Sequence, residues 1–148
     1  MIELKNFTYK TNKILFDGAS FKAPSTGMIG IAGESGCGKT TFLKIISKQI
    51  HVDSMVNDAT SIFYGNQDAL LKKDLTIAQQ FELIESIYNR EHDQNTIDEL
   101  FNNLNIKANL SQKYDSCSLG EKKRIMIALS VYSNSPCIIL DEPLSSVA

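Results

Sequence analysis

The sequence predicts a two-lobed α/β fold, in which an all-helical stretch interrupts an alternation of strands and helices. Three observations predict it. A glycine-rich turn, Gly33-Glu34-Ser35-Gly36-Cys37-Gly38-Lys39-Thr40, stands between an apolar run and an amphipathic segment. Alternating stretches at 2–9 and 14–22, partly β-branched or aromatic, precede it. Residues 68–116 carry apolar side chains at helical spacing, and a short apolar strand returns at 137–141.

Each element has its own warrant. Residues 2–9 and 14–22 read as strands ahead of the turn Pro24-Ser25-Thr26-Gly27. Met28-Ile29-Gly30-Ile31-Ala32 reads as a buried strand. Residues 41–50 read as a helix, because Phe42, Ile46 and Ile50 recur every four positions. Residues 60–65 read as another strand. Ile77, Phe81, Ile84 and Tyr88 share one helical face, and Ile97, Leu100, Phe101 and Leu104 share a second, with Thr96 and Glu99 spaced as a capping box. Residues 118–132 form a further helix with Ile125, Ala128, Leu129 and Tyr132 on its apolar face. The strand at 137–141 ends at Pro143.

The bulk numbers bound the function classes. With 148 residues, 43% hydrophobic and 22% charged, the chain has ordinary globular composition and enough material for one core. A net charge of −2 gives no electrostatic footprint for DNA or RNA, and the longest basic cluster is Lys122-Lys123-Arg124. No apolar run approaches the ~20 residues that cross a bilayer. Met1-Ile2-Glu3-Leu4-Lys5 lacks the layout of a signal peptide. The expected location is the cytosol, with any membrane role passing through a partner. The three cysteines have no metal-ligand spacing, and their odd number argues against a disulfide framework. Cys137 reads as a core filler and Cys37 as an accessible thiol.

The glycine-rich turn fits G-x-x-x-x-G-K-[ST], and its strand and helix flanks give the pattern a mechanism. Gly33, Gly36 and Gly38 permit unusual dihedrals and close approach to phosphates. Several N–H groups then converge on the anion, and a helix N-terminus adds its positive end. Lys39 supplies a full charge to the β- and γ-phosphates, and the Thr40 hydroxyl suits Mg²⁺. Any strand-to-helix turn can be rich in Gly and Ser, but chance produces this pattern in only about one chain in a few hundred.

Downstream, Asp141 and Glu142 end an apolar strand, where acids of a parallel sheet face the ligand crevice. One carboxylate can hold hydrated Mg²⁺ and the next can polarise water for in-line attack on a γ-phosphate. The plain alternative is a strand leaving the core into a polar turn. Ser118-Leu119-Gly120-Glu121 opens a helix. Its spacing reads first as a capping box that needs no ligand, and second as a helix N-terminus aimed at a γ-phosphate; both can hold. Gln67 offers an amide oxygen to a metal or water, or is merely solvated. Tyr9 can stack on a base, or simply pack in its strand.

In this order the pieces resemble the ATPase cassette of ABC transporters: Tyr9, Gly33–Thr41, Gln67, Cys117-Ser118-Leu119-Gly120-Glu121-Lys122-Lys123-Arg124, and Ile138-Ile139-Leu140-Asp141-Glu142-Pro143. The resemblance spans nearly the whole chain. It implies an α/β fold with a P-loop NTPase (RecA-like) core, formed by residues 1–67 plus 117–148, with an N-terminal antiparallel β part. Residues 68–116 would be an inserted α-helical subdomain. It implies that Tyr9 stacks on adenine and that Gly33, Glu34, Ser35, Gly36, Cys37, Gly38 and Lys39 hold the phosphates. Thr41 would lie near the α-phosphate. Thr40, Gln67 and, through water, Asp141 would serve Mg²⁺, and Glu142 would be the general base. Ser118, Leu119, Gly120 and Glu121 would meet ATP held by a second cassette in a head-to-tail dimer. It further implies an ATP hydrolase that drives a separate transmembrane subunit from the inner face of the membrane, docked through 68–116 with Gln67.

Three departures accompany the resemblance. Leu119 stands where the family usually has glycine, and Glu121 where it usually has glutamine. Ala148 stands where an aspartate usually closes the loop. The family's sequence also continues past this point with a strand and a histidine that contacts the γ-phosphate. His51 and His92 lie upstream and are not that residue. The expectation is a fragment of a longer cassette, or a missing part supplied by another chain. Two other readings compete: a soluble ABC-type ATPase acting on nucleic acid or ribosomes, and a truncated nucleotide binder without hydrolysis. The first usually carries two cassettes, a long coiled coil or basic extensions, none of which is seen here.

Overall fold

Strands β1 (Ile2–Lys10) and β2 (Ile14–Ala23) form an antiparallel hairpin in which Leu4 faces Phe21, Phe7 faces Ala19 and Tyr9 faces Phe16. The register shifts between Leu4 and Phe7, where Asn6 takes φ 46° and its N–H turns to the Ser20 hydroxyl at 2.9 Å. The computed structural model describes residues 1–66 and 72–143. They belong to two compact units, Met1–Thr60 and Ser61–Ala148.

In the first unit, α1 (Lys39–Ile46) packs by Leu43, Ile45 and Ile46, which are buried. Its Phe42 ring meets Phe21 edge-on at 5.0 Å and Phe16 at 6.0 Å, so the hairpin's aromatics carry the helix. Strand β3 (Met55–Asn57) lies on the other side of β1, giving the order β2-β1-β3. The sequence reading missed it, because three residues are too few for a period. Buried Asn57 donates from Nδ2 to the Ile46 carbonyl at 2.7 Å and so occupies an acceptor left over at the end of α1.

Two expectations for this unit fail. The helix stops at Ile46 rather than at 50. Lys48 turns left-handed at φ 65°, and the N–H groups of Gln49 and Ile50 both fold back onto the Lys44 carbonyl, at 2.9 and 3.1 Å. Residues 28–32 form no strand and are not buried: Met28 is 100% exposed, and Ile29 and Ile31 are exposed as well. A strand exists only as part of a ladder, and no described strand pairs with this run.

In the second unit, β4 (Ile62–Gly65) and β5 (Cys137–Leu140) pair in parallel, with Gly65 opposite Leu140. Parallel neighbours need a long crossover. Here it consists of α2 (Ile77–Tyr88), α3 (Gln94–Asn103), a 3₁₀ turn at Tyr114–Ser116, and α4 (Leu119–Tyr132). One core gathers Phe63, Ile77, Phe81, Ile84, Ile97, Ile125, Ala128, Leu129 and Tyr132. The expected apolar face of α4 is therefore the buried one. Ile139 of β5 is buried, but Ile138 is exposed and Cys137 only half-buried, because β5 is covered on one face. Cys137 is thus less of a core filler than expected.

The helix caps differ from the sequence reading in two places. Asp93, not Thr96, starts α3. Its carboxylate accepts the Thr96 N–H at 3.1 Å and the Thr96 hydroxyl at 2.6 Å. A capping box that the sequence reading missed opens α2, where Thr76 and Gln79 exchange bonds at 2.9 and 3.2 Å.

Candidate functional site

The candidate residues fall into two groups, one in each unit. In the first, Gly36 (φ 77°) and Gly38 (φ 103°) take conformations that side chains disfavour. Gly33 is needed for space instead: a Cβ there would meet the Cys37 Sγ at 2.9 Å. Gly38 is the N-cap of α1, and no side chain caps this helix. Its first hydrogen bond runs from the Phe42 N–H to the Gly38 carbonyl at 2.8 Å. The N–H groups of Lys39, Thr40 and Thr41 are consequently offered at the helix end, where the backbone dipole is positive. Phe16 packs under Gly38, within 3.2 Å of where a Cβ would stand, and its ladder partner is half-buried Tyr9.

The Lys39 ammonium donates to the carbonyls of Gly33 and Glu34, both at 2.8 Å, which holds it across the mouth of the loop. Thr40 and the Cys37 thiol are exposed, as an accessible loop requires. Sequence reasoning missed Lys13. From the turn between β1 and β2, its ammonium reaches the Gly36 carbonyl at 3.3 Å and places a second cation at the loop. The signal was a lone Lys in a hairpin turn, with nothing in the sequence to say which loop it faces.

In the second unit, Asp141 follows β5, and its N–H extends the ladder to the Gly65 carbonyl at 2.9 Å. Glu142 is exposed, with a left-handed φ of 51°. Beside them stands the buried Tyr64 hydroxyl, with the Asn66 side chain and the Asp141 carboxylate next to it. Burial first, and then the negative charge of Asp141, push its phenol above the usual value. Tyr64, Asn66 and Asp141 thus gather polar groups at the end of the β4–β5 ladder, a place where ordered water is held. Hydrated Mg²⁺, which keeps most of its waters, suits that setting. Among the described residues no group of three or more His, Cys, Asp or Glu gathers for a metal.

Ser118 and Glu121 form a full capping box at the start of α4, and exposed Leu119 lies beside it. The Ser118 N–H and hydroxyl both donate to the Glu121 carboxylate and hold it below the ordinary range. Gln67 and Ala148 lie outside the described residues. Among the described residues no helix is long and apolar enough to cross a membrane.

The family model described as ABC transporter matches residues 16–145. The chain belongs to the ABC transporter family. It is an ATP-binding cassette of the ABC type, an ATPase component of a transporter, with the α/β P-loop fold expected from its motifs. The cytochrome c biogenesis ATP-binding export protein of Reclinomonas americana is 31% identical over 150 residues, covering 91% of this chain and 67% of that protein. The molybdenum import ATP-binding protein of Rhodopseudomonas palustris is 30% identical, covering 87% of this chain and 38% of that one. An ABC transporter ATP-binding protein of Pyrococcus furiosus has the same fold, with a TM-score of 0.84 at 18% identity over 99% of this chain and 78% of its own. A dimeric bacterial ABC transporter cassette gives 0.76 at 23% identity over 100% of this chain and 76% of its own.

Proposed function

We propose that this cassette binds MgATP on the loop at residues 33–41, with adenine stacked on Tyr9, and hydrolyses it with Glu142 as general base. The observation that carries the reading is the uncapped start of α1, with the Lys39 ammonium held across the loop in front of it. Three free N–H groups, a dipole end and a fixed cation make an anion site suited to a polyphosphate. Lys39 would exchange its two carbonyl partners for phosphate oxygens. Thr40 and Thr41 would add hydroxyls, Gln67 an amide oxygen, and Asp141 a carboxylate acting through water. Mg²⁺ held by these groups would supply charge neutralisation to the phosphates.

The rest of the proposal concerns assembly. Ser118, Leu119, Gly120 and Glu121 would meet ATP held by a second cassette, head to tail. ATP then joins the pair and hydrolysis releases it, since the nucleotide binds one state far better than the other. Residues 1–67 with 117–148 act as the ATPase core, and residues 68–116 with Gln67 dock on a separate transmembrane subunit at the cytoplasmic face of the membrane. The relatives' names divide between export in cytochrome c biogenesis and import of molybdenum or ribose. The proposal therefore stops at coupling and names no cargo.

Glu142→Gln tests the hydrolytic role. A general base contributes about 10²–10⁴ in rate. The variant is expected to bind ATP as the parent does, by calorimetry, and to lose most of its turnover. Unchanged turnover would remove Glu142 from the role.

A further inference from the structure

Lys123 is a charged residue in the core of the second unit, only 1% exposed on α4, five residues past Ser118. Fully buried lysines are rare unless paired, because an ammonium taken out of water needs acceptors close by. One acceptor is the backbone carbonyl of Glu142, at 3.3 Å. Glu142 in turn has φ 51°, a left-handed conformation that is unfavourable for a residue with a side chain. Strain of this kind persists only where the surroundings over-determine it. The turn is tied on both sides. Before Glu142, the Asp141 N–H is fixed on the Gly65 carbonyl at 2.9 Å, and after its Cα the carbonyl is held by Lys123. Glu142 is exposed.

We propose that Lys123 is a positioning residue for Glu142. Its ammonium holds the Glu142 carbonyl and keeps the glutamate in the left-handed conformation from which the carboxylate addresses the attacking water. The inference rests on the reading of Glu142 as general base. Three N–H donors on a four-carbon stem allow Lys123 to reach this carbonyl from inside the core. The same helix begins at Ser118, so one rigid element joins the residue proposed to meet the partner's ATP to the turn proposed to cut its own.

The test is MgATP hydrolysis by the full chain assembled in its transporter, for Lys123→Met and Lys123→Gln, each alone and combined with Glu142→Gln. Single-turnover measurements with radiolabelled ATP keep residual rates readable. Small misplacements of a reacting group cost up to about a hundredfold. Lys123→Met, which keeps an unbranched stem and removes the donors, is expected to lower kcat by about tenfold or more while leaving KM for ATP unchanged. Lys123→Gln, with one donor group retained, recovers part of the loss. In the Glu142→Gln background, Lys123→Met should add nothing further. Parental kcat in Lys123→Met, or the same fractional loss in both backgrounds, overturns the proposal. If Lys123→Met does not fold, the cycle with Lys123→Gln decides by the same two criteria. The two readings also fail separately. Full turnover in Glu142→Gln sinks the general base whatever Lys123 does, whereas an inactive Glu142→Gln with a fully active Lys123→Met sinks only the positioning role.

Discussion

Ser118 and Glu121 occupy one another's hydrogen-bonding groups. The Ser118 hydroxyl accepts the Glu121 N–H at 3.3 Å and donates to the Glu121 carboxylate at 3.0 Å, and the Ser118 N–H reaches the same carboxylate oxygen at 3.0 Å. The serine proposed to meet a partner's ATP is therefore also the cap of α4, and glutamate, where the family usually has glutamine, makes the cap charged. Ser118→Ala should cost about 1 kcal/mol of stability, read as a lower denaturation midpoint with unchanged slope.

The charge on Glu121 makes this cap pH-dependent. Its folded pKa is depressed, so its contribution is present above the ordinary carboxylate value and is lost as pH falls through the lowered one. Between about pH 6 and pH 3 the parent's midpoint should fall more steeply than that of Glu121→Gln. Parallel curves would deny the carboxylate this role.

At the phosphate loop, Lys39→Ala should weaken ATP binding by about tenfold or more, equivalent to about 1.4 kcal/mol, measured by calorimetry. Lys13→Ala should weaken it less, since Lys13 approaches the loop from an exposed turn with a single longer bond of 3.3 Å. An unchanged affinity in Lys39→Ala would count against the loop as the phosphate site.

Local chemistry explains what the sequence made legible. The capping box at Ser118 and the apolar face of α4 each depend on residues within a turn or two of one another, and each stands as read. The run at 28–32 was misread because strand formation depends on a partner, and hydrophobicity alone supplies none. Asp93 outcompeted Thr96 for the start of α3 because a carboxylate can accept both the N–H and the hydroxyl of Thr96. The contacts of Lys13 with Gly36 and of Lys123 with Glu142 join residues 23 and 19 positions apart, and no spacing rule announces them.

Gly65 is another residue whose role shows only in three dimensions. A Cβ there would come within 2.8 Å of Leu140 and 3.1 Å of Met126, directly beneath the start of the acidic turn. Gly65→Ala should cost about 1–3 kcal/mol through overpacking, read by chemical denaturation. A cost below about 0.5 kcal/mol would mean that the neighbours yield freely.

His92 offers the remaining pH handle, far from any nucleotide chemistry. Its Nδ1 lies 2.8 Å from the Glu85 carboxylate, which also accepts the Tyr132 hydroxyl at 2.6 Å. That hydroxyl in turn accepts the Asp93 N–H at 3.0 Å. The Arg90 guanidinium stands 4.2 Å over the Tyr132 ring. This cluster ties the end of α2 and the start of α3 to the end of α4. The hydrogen bond to Glu85 raises the His92 pKa. Burial opposes it, and the Glu85 and Asp93 charges reinforce it. A raised folded pKa means that the contribution is fully present below about 6.5 and fades as pH climbs through the higher value. His92 is exposed, so the effect is small and best seen as a difference in slope. The parent should lose stability relative to His92→Gln between about pH 6 and pH 8.5. Tyr132→Phe should lower the midpoint at every pH, because Glu85 and the Asp93 N–H each lose a partner. If His92→Gln follows the parent across that range, the imidazole contributes nothing to the tie, and its polar part rests on Tyr132 with Glu85 and the Asp93 N–H.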